Sequence, residues 1–100
     1  MEKILVQPPK GIPPRLLTDY IKNCQEAVAS AKAAIGRSDY RHTSVLGHRL
    51  KGTGGAYGIP AITDMGSFME QASLQNNGVE VQHQVARLEE YLSQIEIVSE

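Results

Sequence analysis

The sequence has almost no net charge: ten Lys and Arg stand against eleven Asp and Glu, leaving -1. That balance supplies no basic field for a phosphate backbone, so nucleic-acid binding is disfavoured. Cysteine is nearly absent too. The single Cys24 cannot close an internal disulfide, and it is expected to be a reduced, buried thiol in a cytosolic protein. Long apolar runs are missing; near the start the longest is Ile4 to Val6, far short of a signal-peptide core or a membrane span. There is no internal repeat and no low-complexity segment. The 100 residues, 21% charged and 41% hydrophobic, instead suit one small domain that removes roughly 65% of its unfolded surface from water. Disordered, fibrous and linker classes are thereby excluded. The conspicuous feature is a cluster: Gly47, Gly52, Gly54, Gly55 and Gly58 fall within twelve positions.

Residues Met1 to Gly11 carry a short β-like run, Lys3 to Gln7, and then Pro8, Pro9 and Gly11, which predicts an extended arm and a turn. A first helix is expected from about Pro13 or Pro14 to Ile35 or Gly36, with Gly36 capping its end. Its apolar stripe is Leu17, Ile21, Cys24, Val28, Ala31 and Ile35. Ser38 or Asp39 can cap a second helix, with a stripe of Leu46, Leu50, Thr53 and Tyr57 that carries the glycines inside it and ends at Gly58. Pro60 restarts the chain, and Ile62, Met65, Met69 and Ala72 form a third stripe, with Met65, Phe68 and Met69 expected in the core. After Asn76, Asn77 and Gly78 comes a fourth stripe, Val81, Val85, Leu88, Leu92 and Ile95. Four single-stripe helices on short turns predict an all-α, up-down-up-down antiparallel four-helix bundle over residues 12–100, preceded by an arm over residues 1–11. At the end, Ile95 to Val98 alternates with β-branched side chains, so Gln94 to Ser99 is expected to pair as a strand with Lys3 to Gln7.

The glycine-rich segment fails the phosphate-loop pattern, because Lys51 precedes the glycines and a helix precedes Lys51. It fails the dinucleotide pattern as well, since Tyr57 stands where a third glycine is needed. Placed on a helix, His48 lies about 200° from Leu46 and Leu50 and therefore faces solvent. Arg41, Ser44, Lys51, Gly52 and Gly55 share that outer face. Each glycine inside a helix costs roughly 1 kcal/mol relative to alanine, and such local penalties concentrate at functional sites. Gly52 clears the space one turn beyond His48, and Lys51 sets an ammonium on the same side. An exposed imidazole with a nearby cation suits a reversible phosphoryl acceptor, because imidazole is a nucleophile at cytosolic pH and the ammonium offsets the dianion's charge. The ring needs a carboxylate on Nδ1–H to leave Nε2 attacking; Glu70, beside Met69, is the candidate, with Gly66 one turn earlier leaving space between the helices. His42 and His48 are six residues apart and do not share the face a zinc pair needs, so no metal site is expected.

The run His48-x-x-Lys51-Gly52 with Gly58, followed by Ile62, Gly66 and Met69-Glu70, resembles the histidine-containing phosphotransfer (HPt) domain of bacterial multistep phosphorelays across about residues 12 to 95. The resemblance implies a four-helix bundle in which His48 is the phosphorylated residue, Lys51 and Gly52 shape its surroundings, and Glu70 hydrogen-bonds the ring. It implies a two-component phosphorelay carrier with no ATP-dependent kinase activity of its own. Its partners would be response-regulator receiver domains and a hybrid or partner histidine kinase, with Mg²⁺ only in the receiver and no cofactor in this chain. A cytoplasmic monomer bound to neither nucleic acid nor membrane is expected, and Met1 favours a stand-alone protein. The terminal arms depart from the family's minimal bundle. A different reading is a docking module that binds a signalling partner through the glycine-flattened face without chemistry.

Overall fold

The computed structural model describes residues 2–98. Ser99, at the far end of the expected terminal strand, and Met1 and Glu100 at the chain ends lie outside the described residues. The element order is β1 (Ile4–Val6), α1 (Pro14–Gly36), α2 (Tyr40–Thr53), a 3-10 turn (Gly55–Tyr57), α3 (Pro60–Leu74), α4 (Gly78–Gln94) and β2 (Ile95–Ile97). The protein is mostly helical, and four helices carry its core.

Each helix starts where the sequence supplies a local reason. Pro14 opens α1 and Pro60 opens α3, positions where the missing N–H has no helical partner to lose. Asp39 caps α2 by accepting from the His42 N–H, and Asn77 caps α4 by accepting from the Glu80 N–H, each satisfying a donor that lacks an intrahelical acceptor. Of the two expected caps for α2, Asp39 rather than Ser38 performs the role. Ser38 instead takes the left-handed conformation at φ 54° just after α1, donating to the Ile35 carbonyl. Gly36 is therefore the last helical residue and not the cap.

The stripes meet in one core. Leu17 of α1, Ile62 of α3 and Val81 of α4 are fully buried, and each such side chain contributes roughly 1.5–3 kcal/mol. Ile21 and Ile35 sit at the edge of the α1 stripe, half-buried, while Tyr20 and Ala34 take inner positions. Phe68 departs from expectation: it is 50% exposed on the α4 flank of α3, about 100° around the helix from buried Met69.

The expected second helix also ends early. Gly55 N–H, which a continued helix would direct to the Lys51 carbonyl, donates to Thr63 Oγ1 of α3 at 2.8 Å. The chain then tightens into i to i−3 bonds from Tyr57 and Gly58 to Gly54 and Gly55. So Gly52 lies inside α2, Gly54 caps it, and Gly55 belongs to the 3-10 turn. Tyr57 stacks parallel on Tyr20 with ring centroids 4.1 Å apart, and Tyr20 Oη meets Thr53 Oγ1 at 2.8 Å, docking the turn on α1.

Hydrogen bonds between neighbouring helices join residues in opposing sequence order: Ser30 to His42 and Tyr20 to Thr53 between α1 and α2, Thr43 to Ser73 and His48 to Glu70 between α2 and α3. The two strands pair in parallel, with Ile4, Leu5 and Val6 opposite Ile95, Glu96 and Ile97. Parallel pairing requires the chain to be redirected before α1. A turn closed by Ile12 N–H on the Pro9 carbonyl does this, with Gly11 at φ 89° in the position that demands a left-handed residue.

Candidate functional site

Two glycines bring α2 and α3 into backbone contact. A Cβ on Gly47 would lie 2.7 Å from both the Glu70 nitrogen and the Gly66 carbonyl oxygen, and one on Gly66 would lie 2.6 Å from the Lys51 nitrogen. No side chain other than hydrogen fits either position. The next residue after Gly47 is His48, and Glu70 stands one turn beyond Gly66. Close approach of the backbones therefore brings the His48 side chain of α2 against the Glu70 side chain of α3.

The resulting contact is His48 Nδ1 to Glu70 Oε2 at 2.9 Å. An ionised carboxylate only accepts, so Nδ1 is the donor and carries the proton. A ring with its proton on Nδ1 keeps a lone pair on Nε2. The His48 side chain is 72% exposed, whereas the Glu70 side chain is only 18% exposed. The carboxylate is held in place while the ring it orients stays open to a partner.

Lys51 reaches the other carboxylate oxygen, with Nζ 3.6 Å from Glu70 Oε1. Glu70 thus bridges the imidazole and the ammonium, a Lys51–Glu70 pairing that the spacing within α2 alone did not reveal. Gly52 is exposed, and a Cβ there would meet nothing within 4 Å. Arg41, exposed, and Ser44, half-buried, lie along the His48 side of α2 at i−7 and i−4, and among the described residues their side chains have no hydrogen-bond or ion-pair partner. Gly55 is exposed too, but on the 3-10 turn, where Thr63 holds its N–H.

Two apolar side chains near this face escaped the periodicity argument because they lie off the buried stripes. Val45 is exposed three residues before His48, and Leu74, 69% exposed, stands one turn beyond Glu70. His42 is accounted for structurally, with Nε2 2.7 Å from Ser30 Oγ of α1. Among the described residues no group of three or more His, Cys, Asp or Glu is placed to hold a metal ion. Cys24 is buried in the core, and burial pushes its thiol pKa up to about 11.

A mostly helical chain thus presents a histidine whose ring meets a carboxylate on one side and is open on the other. The family model for the Hpt domain matches residues 15–97, and the chain belongs to the Hpt domain family. Members of this family perform histidine phosphotransfer in phosphorelay, two-component signalling, and interact there with receiver domains and histidine kinases. A search of curated proteins and a search of solved structures each returned no match at the significance required. Among the described residues no helix is long and apolar enough to cross a membrane.

Proposed function

We propose that His48 is the phosphoacceptor, taking a phosphoryl group from a phosphoaspartate on a receiver domain or from a histidine kinase and passing it to another response regulator. The observation that carries this reading is the 2.9 Å contact of Nδ1 with Glu70 beneath an exposed ring. Nε2 attacks phosphorus; the new N–P bond forms as the acyl-phosphate P–O bond breaks, and the donor aspartate leaves as carboxylate. The ring becomes a cation, which the Glu70 carboxylate stabilises, and Lys51 offsets charge on the phosphoryl oxygens. Reversal onto a second aspartate completes the relay. Phosphoryl transfer needs positioning and charge neutralisation more than covalent help, and a divalent cation held by the receiver would supply the remaining positive charge.

Gly52 and Gly55 give the flat surface on which a receiver closes, and Arg41 and Ser44 lie at its margin. The helices are read as an up-down-up-down antiparallel bundle over residues 12–100, supported by the opposing order of the cross-helix hydrogen bonds, with residues 1–11 as an arm whose strand lies along β2. The carrier is read as a cytoplasmic monomer.

Incubation with a phosphorylated receiver domain should place an acid-labile, base-stable phosphate on the wild type and none on His48→Gln. Equal labelling of the variant would remove His48 from the mechanism. Under the docking-module reading, His48→Gln would leave signalling intact while a bulky replacement of Gly55 abolished it.

A further inference from the structure

One buried polar pair beside the site has no part in the chemistry above. Thr43 of α2 is 0% exposed and Ser73 of α3 is 2% exposed, and their hydroxyl oxygens lie 2.7 Å apart. Ser73 is three residues beyond Glu70, and Thr43 is five before His48. On α2, Gly47 falls between Thr43 and His48; on α3, Glu70 falls between Gly66 and Ser73. Glycines without side chains set how close two helices come, but they offer nothing that interlocks, so they fix separation better than axial register. A hydrogen bond is directional and steepens with distance. The His48 Nδ1 to Glu70 Oε2 contact joins the same two helices, so a slide between α2 and α3 changes its length and angle.

We propose that the Thr43–Ser73 hydroxyl bond is a positioning pair that holds α3 in the register at which Glu70 fixes the Nδ1–H tautomer of His48. The proposal rests on the reading of His48 as phosphoacceptor for its functional consequence, though not for its structural one. The pair contains two hydroxyl protons and three possible bonds, since Thr43 Oγ1 also reaches the Tyr40 carbonyl at 3.1 Å and Ser73 Oγ the Met69 carbonyl at 2.7 Å. The shorter carbonyl contact favours the order Thr43 to Ser73 to Met69, a chain in which each bond strengthens the next. Each hydroxyl also has a carbonyl of its own helix to fall back on. Removing either partner therefore breaks the link between helices without leaving a buried hydroxyl unsatisfied, which separates register from simple loss of fold.

The test uses the full chain, uniformly ¹⁵N-labelled. Long-range ¹H–¹⁵N spectra at pH 8 read the tautomer ratio of the His48 ring, and the rate of phosphorylation by phosphoramidate reads its nucleophilicity without any docking partner. Thr43→Val and Ser73→Ala should each lower the Nδ1–H fraction and slow phosphorylation about five-fold, the effect of losing one net hydrogen bond. The double variant should be no slower than either single one, because both remove the same bond. Thr43→Ser, which keeps the hydroxyl and loses only a methyl, should stay within about two-fold of wild type. Unchanged tautomer ratio in Thr43→Val and Ser73→Ala would overturn the proposal, as would a Thr43→Ser rate as low as that of Thr43→Val, which would assign the effect to packing. If the wild type takes no phosphate at all, the functional reading fails instead, and the tautomer ratios still decide the coupling.

Discussion

Replacing Gly52 should raise stability and lower phosphotransfer, a combination that few surface positions would give. The residue is exposed, lies inside α2, and a Cβ added there meets nothing within 4 Å. Glycine in a helix interior costs about 1 kcal/mol relative to alanine. Because α2 ends at the next residue, Thr53, the gain for Gly52→Ala should be ~0.5–1 kcal/mol. For a domain of this size that raises Tm by roughly 2–8 °C. Gly52→Leu should fold as well, but its side chain occupies the space one turn beyond His48 over which a receiver must close, and transfer should fall at least about ten-fold, equivalent to ~1.4 kcal/mol at the transition state. Gly47→Ala is the opposing control. Its Cβ would lie 2.7 Å from two backbone atoms of α3, so the helices must separate. Overpacking of that kind costs about 1–3 kcal/mol, at or above what the improved helix propensity returns, and it also pulls Glu70 from His48. Circular dichroism melting and transfer of label from a phosphorylated receiver measure both quantities. A lower Tm in Gly52→Ala, or wild-type transfer in Gly52→Leu, would refute the assignment of Gly52 to an open face above the site.

Glu70→Ala should leave the fold within about 1 kcal/mol of wild type, since the pairs it breaks are partly solvated. It should shift the His48 ring away from the Nδ1–H tautomer and slow phosphorylation, as read by the same ¹⁵N spectra and phosphoramidate assay; an unshifted tautomer would show that the carboxylate does not orient the ring. Cys24 should resist a thiol reagent in the native state at pH 8, where a pKa of about 11 leaves roughly 0.1% thiolate and the core bars access; stoichiometric labelling within minutes would contradict its placement. The same raised pKa means that the folded chain holds the thiol proton more tightly than the unfolded chain. Its contribution to stability is therefore present below about pH 9 and lost as pH climbs toward 11, a decline that urea unfolding at pH 8 and pH 10 should detect and Cys24→Ala should flatten.

Much of the helical framework was legible because its causes are local. A proline at a first turn, an aspartate or asparagine cap, and apolar residues recurring at three and four positions act within one helix, and Leu17, Ile62, Met69 and Leu88 are buried as their spacing predicts. The same geometry put His48 outward and singled out Glu70, whose partner lies on another helix but whose place at the edge of the α3 stripe was readable. Illegible features share a cause: each depends on what another element of the fold places against the residue. The apparent continuity of α2 through Tyr57 fails because the Thr63 hydroxyl, from the next helix, captures the Gly55 N–H. Phe68 is half exposed because it lines an open groove with Arg87, Tyr91 and Gln94 of α4 and is not covered by them, and periodicity along α3 does not encode what a neighbouring helix covers.

By itself, then, the sequence determined four amphipathic helices, their starts, and a histidine set on an open face among glycines, since all of these follow from spacing along one backbone. Only the tertiary structure decided that Gly47 and Gly66 touch backbone to backbone, that Glu70 spans both His48 and Lys51, and that Thr43 and Ser73 close a hydrogen bond between buried helix faces. It also decided that β1 and β2 run in parallel. Such contacts depend on the separation and register of elements, quantities that arise when several helices compete for one core and that no single stretch of residues contains.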